Sequence, residues 1–142
     1  MQIATDFAAR GKVTAITEGK VVFNPSNTNY QIQLSTSRPF EGPIGQLILV
    51  NIRAKARKIY TVPSGGGFIS PLFGPPKLIQ GRAAYVDPAC VVIRAGFPVI
   101  VEIPASDDGL DLSEGQISVG SIVNAVPLPG MTMELVQVTT PA

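Results

Sequence analysis

The sequence predicts an all-β chain built from two pseudo-repeated halves. Three observations carry that prediction. Short runs rich in Val, Ile, Thr and Tyr recur along the whole length, separated by turn residues. Glycine (14) and proline (13) are abundant, as a fold with many turns requires. The order of strands and turns repeats after about 70 residues.

In order, "GKVTAI", "KVVF", "NYQIQL", "GQLILVNIRA" and "KIYTV" read as extended segments of the first half. "RAAYV", "CVVIRA", "FPVIVEIP", "GQISVGSIVNAV" and "MTMELVQV" follow in the second. Near the start, "ATDFAARG" suggests a single helical turn, with Thr5 or Asp6 as its cap. Shifting the chain by about 70 residues sets Gly11 on Gly81, Val21-Val22 on Val91-Val92 and Phe23 on Ile93. After a one-residue slip "YQIQL" lies on "VIVEI", and the register then recovers with Leu47 on Ile117 and Ile52 on Ile122.

The expected organisation is a first β repeat with a short N-terminal arm at 1–62, a Gly/Pro-rich connector at 63–80 and a second β repeat at 81–142. Five short strands in this order resemble an OB-like or similar small closed barrel. Two barrels side by side and one sandwich merged from both halves are equally compatible with the pattern, and the thin core of a barrel of about 50 residues favours merging.

Composition narrows the chemistry. There is no His, which removes Ser/His/Asp and Cys/His nucleophilic devices, His-ligated zinc and the usual general base near neutral pH. The single cysteine, Cys90, forms no internal disulfide and lies in "ACVVI", a buried-strand pattern expected to hold an inert thiol. "SGGGFISP" has the glycines of a phosphate loop but lacks the following Lys-Ser/Thr. The acids Asp107, Asp108, Asp111 and Glu114 miss the EF-hand spacing and read as a solvated turn, and Glu102 with Glu134 makes no recognisable catalytic pair. No enzyme activity, cofactor or metal is expected. The longest apolar runs fall far below the ~20 residues of a membrane-spanning helix. The N-terminus has no signal-peptide pattern, so an intracellular or virion location is expected.

The informative stretch is "NIRAKARKIYTV". On a strand, Arg53, Lys55 and Arg57 share one face and Ile52, Ala54 and Ala56 the other. The three cations form a ridge, unless they are the protective charges of an edge strand, and Lys58 beside them is a further candidate contact residue. The 70-residue overlay sets Val123, Ala125 and Pro127 opposite the ridge, making one copy basic and the other apolar. Residues 1–70 hold eight Lys/Arg and three Asp/Glu, and residues 71–142 hold three and seven, a split that suits head-to-tail pairing of copies. The stretch Pro63 to Lys77 reads as about fifteen residues without regular structure. Phe68 and Phe73 inside it are anchors, either folded back as a lid or reaching a neighbouring subunit as an arm. The leading expectation is a self-associating structural protein, a homo-oligomer or a surface-decorating component of a larger shell such as a viral capsid. Its partners would be copies of itself or another structural protein. The alternative is an OB-like module that grips single-stranded nucleic acid, with Arg53, Lys55 and Arg57 on phosphates and Tyr60 or Tyr30 stacked on bases.

Overall fold

The computed structural model describes residues 6–17, 20–36, 40, 42–71, 73–87, 89–103 and 117–138, apart from the side chains of Thr17, Phe73 and Val138. The chain is all-β. Its strands are β1 (Ala9–Thr17), β2 (Lys20–Pro25), β3 (Gln31–Ser35), β4 (Ile48–Val62), β5 (Phe68–Ser70), β6 (Phe73–Gly74), β7 (Leu78–Val86), β8 (Cys90–Arg94), β9 (Pro98–Glu102), β10 (Ile122–Pro127) and β11 (Thr132–Val138). In the "ATDFAARG" stretch Asp6 is helical and Phe7 a turn, but Ala9 already belongs to β1, and residues 4 and 5 lie outside the described residues.

All the described strands join one sheet, with β1-β2-β3-β11-β4-β10-β7-β8-β9 as its main path. Two expected strands, "GQLILVNIRA" and "KIYTV", are one continuous strand of 15 residues, β4. No Gly or Pro interrupts Ile48–Val62, so nothing forces a turn there. By contrast, among the described residues of "GQISVGSIVNAV", from Ile117 on, a strand begins at Ile122, after a turn at Val119-Gly120.

β4 changes partners along its length. Its first residues pair with β1 on one edge (Ala9↔Val50, Gly11↔Ile48) and with β11 on the other (Leu135↔Val50, Thr132↔Arg53). Arg53–Lys55 run parallel to β9, and Ala56–Val62 run antiparallel to β10. The pairings therefore run from β1 through β2, β3, β11 and β4 back to β1, the β3–β11 link being the single pair Ser35↔Thr132. They also run from β7 through β8, β9, β4 and β10 back to β7. The segments 1–62 and 81–142 are thus hydrogen-bonded into each other.

Most of the core is one contiguous cluster. Val13, Phe23, Ile32 and Leu34 come from β1–β3, and Ile79, Ile93, Val99 and Val101 from β7–β9. β4 contributes Ile48, Val50, Ile52, Ala54, Ala56 and Ile59 between them. A second cluster of Phe7, Cys90, Val92 and Ile100 covers the outer face of β8 and β9. Those strands are apolar on both faces for that reason, and "CVVI" reads as a continuous run rather than an alternation.

Two close approaches recur 70 residues apart in the numbering. A Cβ on Gly11 would strike the carbonyl oxygen of Asn24, and one on Gly81 would strike that of Arg94. The β1–β2 register shifts between Val13 and Ala15, and the β7–β8 register between Ala83 and Tyr85. These ladders match the 70-residue overlay, but the later strands do not. Phe23 pairs with Ile32 and Ile93 with Val99, so Ile32, not Tyr30, corresponds to Val99 in pairing. Gly11 pairs with Ile48 and Gly81 with Val123, a spacing of 75 rather than 70. An odd slip exchanges the two faces of a strand. The overlay therefore set outward Arg53 and Lys55 against Val123 and Ala125, which are fully buried at 0% exposure. The contrast between a basic copy and an apolar copy does not hold.

The connector also differs from expectation. Pro63 to Lys77 is not structureless: β5 pairs with β7 (Ile69↔Ile79) and β6 with β3 (Gln31↔Phe73), and β7 begins at Leu78. Ile69 is buried in the chain's own core, and its N–H donates to the Tyr30 hydroxyl at 2.9 Å. Ile69 is thus an anchor of this segment within its own chain, and Phe68 is partly exposed.

Gly81→Ala is expected to destabilise the protein by about 1–3 kcal/mol, because its methyl meets backbone that cannot step aside. At Gly66 a Cβ meets nothing within 4 Å, so Gly66→Ala should leave stability unchanged or raise it by up to about 1 kcal/mol. Denaturant titrations of the two variants check the contrast.

Candidate binding surface

The outward face of β4 carries the candidate site. Ile52, Ala54 and Ala56 are buried, Lys55 and Arg57 are exposed, and Arg53 is partly exposed, as strand alternation dictates. Lys58 would point inward if the alternation continued. A bulge prevents this: Val126 pairs with Lys58 but Pro127 with Ala56, leaving Arg57 as the extra residue. Lys58 is consequently exposed, Ile59 returns to the core and Tyr60 faces outward, half-buried. Lys58 thereby joins Arg53, Lys55 and Arg57 on the outside of one strand.

The ridge is not simply the guard of an edge. Arg53 has Thr132 on one side and Ile100 on the other. Lys55 pairs with Glu102, and its carbonyl accepts the Leu128 N–H at 2.7 Å. Among the described acids, Glu102 is the one in register with the ridge; Glu134 faces Asn51 on β11. Arg53, Lys55 and Glu102 line a cavity of about 280 Å³ closed by Leu128, Pro129 and Gly130.

Beyond the bulge the surface becomes polar and aromatic. Lys58 Nζ sits 5.2 Å from the Tyr60 ring centroid. Asn124 lies between Tyr60 and Gln80 in register across β4, β10 and β7. Its Nδ2 donates to the Tyr60 hydroxyl at 3.2 Å, and its Oδ1 accepts from Gln80 Nε2 at 2.5 Å. Phe68 pairs with Gln80 on β5 and is partly exposed. Sequence reasoning named Tyr60 but missed Asn124 and Gln80, which are distant in sequence and joined only by the β4–β10–β7 pairing.

Other predicted residues fall elsewhere. Tyr30 is not a free stacking platform: it accepts from Ile69 and packs edge-on against Phe97 at 6.0 Å. The side chain of Phe73 and the acidic residues Asp107, Asp108, Asp111 and Glu114 lie outside the described residues. Among the described residues no group of acids, Cys or His could hold a metal. A larger cavity of about 460 Å³, not foreseen, lies between the β2–β3 and β8–β9 turns, with Arg10, Arg94, Ser26 and Asn27 on its walls.

Cys90 begins β8 beside a tight turn. The Asp87 carboxylate accepts the backbone N–H of Ala89 at 2.7 Å and of Cys90 at 2.8 Å, and the Tyr85 hydroxyl at 2.9 Å. The Cys90 N–H, then that of Ala89 and the Tyr85 hydroxyl, hold Asp87 below its ordinary range. Its hydrogen bond to Asp87 raises Tyr85, and burial raises the Cys90 thiol. A raised thiol is neutral near pH 7 and a poor nucleophile.

Comparison with known protein families, curated proteins and solved structures finds no significant match for this chain.

The Asp87 turn makes a pH prediction. A carboxyl depressed in the folded state contributes stability that is present above its unfolded value, about 4, and lost as pH falls through the folded value. Melting temperature of the wild type should therefore fall below about pH 4 more steeply than that of Asp87→Ala, which is less stable at pH 7 but lacks this component. Parallel acid limbs would show that the turn makes no such contribution.

Proposed function

We propose that this chain is a duplicated pair of OB-like barrels that binds a single-stranded polyanion, nucleic acid foremost, along β4 without catalysing a reaction. The duplication reading is supported by the paired glycines Gly11 and Gly81 and by the register shifts at Val13/Ala15 and Ala83/Tyr85. The barrel reading is supported by the two returning pairing paths, each of five strands and each including β4. In this reading the halves exchange strands. β11 completes the barrel of β1, β2 and β3, and the second part of β4 completes that of β7, β8 and β9.

One observation carries the binding reading: Arg53, Lys55, Arg57 and Lys58 all project from one rigid central strand, with Glu102 as the described carboxylate in register. Cations held in a row by a sheet match the repeating charge of an extended phosphate backbone. Tyr60 continues the row with a ring.

Self-association, or attachment to a shell such as a viral capsid, is the second reading. The burial of Ile69 in its own chain ties part of the expected arm back to the core. A separate observation favours this reading. Leu135 and Val136 are 42% and 37% exposed on β11, whose outer edge pairs with β3 at Thr132 alone. A second copy laid on that edge would cover them.

Affinity for a single-stranded oligonucleotide is expected to fall steeply as salt rises, and Arg53→Ala/Lys55→Ala/Arg57→Ala should flatten the log–log slope by roughly 2. Wild-type protein that binds nothing at low salt but sediments as a dimer or larger would decide for the second reading.

A further inference from the structure

We propose that the outer face of β4, β10 and β7 holds a nucleobase subsite, with Tyr60 as the stacking ring and the Asn124 and Gln80 amides as the edge that meets the base. This inference rests on the polyanion reading above and adds to it that the ligand must have exposed bases. Charge alone accounts for Arg53, Lys55 and Arg57 but not for the aromatic and amide side chains at the far end of the same face.

The geometry is fixed by register. Tyr60, Asn124 and Gln80 occupy one row across three adjacent strands, so their spacing is set by sheet hydrogen bonds rather than by flexible loops. The side chains are tied to each other, Gln80 Nε2 to Asn124 Oδ1 and Asn124 Nδ2 to the Tyr60 hydroxyl. Each tie uses one proton of an NH₂ group that has two. Asn124 and Gln80 each retain a donor, and the Tyr60 hydroxyl retains its own proton. A row that is held in place and still has spare donors suits hydrogen bonding to a base edge.

Lys58 supplies the exchange. Its ammonium rests over the Tyr60 ring at 5.2 Å, on a flexible stem and in contact with solvent. A base arriving on the ring displaces that ammonium toward the phosphate attached to the base. The cation–π contact is replaced by stacking, and the charge is retained by a phosphate contact. At the far end of the face the Arg82 guanidinium is committed to the Gly120 carbonyl at 3.0 Å. The cations free to follow the strand are therefore those of β4, and the ligand runs along it. Double-stranded nucleic acid hides its base faces, and inorganic polyphosphate has none; both reach the ridge without using the row.

The test compares a fluorescein-labelled oligodeoxythymidylate with inorganic polyphosphate at low salt, on the full chain. Tyr60→Ala is expected to weaken oligothymidylate binding about tenfold or more, to leave polyphosphate binding within twofold, and Tyr60→Phe to retain most of the affinity. The chain has no Trp, so Tyr60→Trp places a single indole at the subsite. Its emission should be quenched by oligothymidylate and not by polyphosphate, a readout that does not depend on the alanine variant folding. If the wild type binds both ligands but Tyr60→Ala weakens them equally or not at all, and the indole is unquenched, the subsite is wrong while the ridge stands. If the wild type binds neither ligand, the ridge reading and the subsite fall together.

Discussion

The rest of the structure depends on β4 remaining one uninterrupted strand while its neighbours change. Its first residues are pinned between β1 and β11, its middle runs beside β9, and its end pairs with β10. One face of the same strand supplies Ile48, Val50, Ile52, Ala54, Ala56 and Ile59 to the core. Strand alternation then decides what the other face does. Once the apolar residues are committed inward, the cations between them have nowhere to go but out. The Arg57 bulge refines this by adding Lys58 to the outward set without removing Ile59 from the core. A surface anchored this way costs little ordering entropy on binding, because the backbone that presents it is already held by the core.

Much of this was legible in the sequence. The outward direction of Arg53, Lys55 and Arg57, and the burial of Cys90, follow from local alternation and apolar runs. So do the early strands and the correspondence in spacing of Gly11 and Gly81, both of which prove to be close approaches to backbone. What was illegible depends on loop length and long-range pairing. The turn between Phe23 and Ile32 is longer than that between Ile93 and Val99, so a constant shift loses register after the first hairpin. By β10 the slip is odd, and inward Val123 was compared with outward Arg53. The row of Tyr60, Asn124 and Gln80 was invisible for the same kind of reason: no local pattern joins residues that only a three-strand ladder brings together. That Ile69 would be buried among its own chain's strands was equally illegible, because its place depends on the β5–β7 pairing.

The pairing also changes what a half of this chain means. The sequence suggests two β repeats in series, each with its own five strands. In the structure β11 lies against β3 and β4 of the first segment, and the later part of β4 lies against β9 and β10 of the second. On the proposed duplication, each half lends a strand to the other. The contiguous core that spans both segments is the packing counterpart of that exchange. Binding and stability would then be linked, since the strand that presents the cations is also the strand the two halves share.

The direct test of that central claim is to express residues 1–65 and 66–142 as separate fragments, cut in the exposed Gly65-Gly66 turn, and to measure each alone and mixed by circular dichroism and sedimentation. The account predicts that neither fragment shows a cooperative melt by itself, because each lacks a strand held by the other, and that mixing restores a folded one-to-one complex. Two fragments that each fold and melt cooperatively as monomers, with no association on mixing, would contradict it.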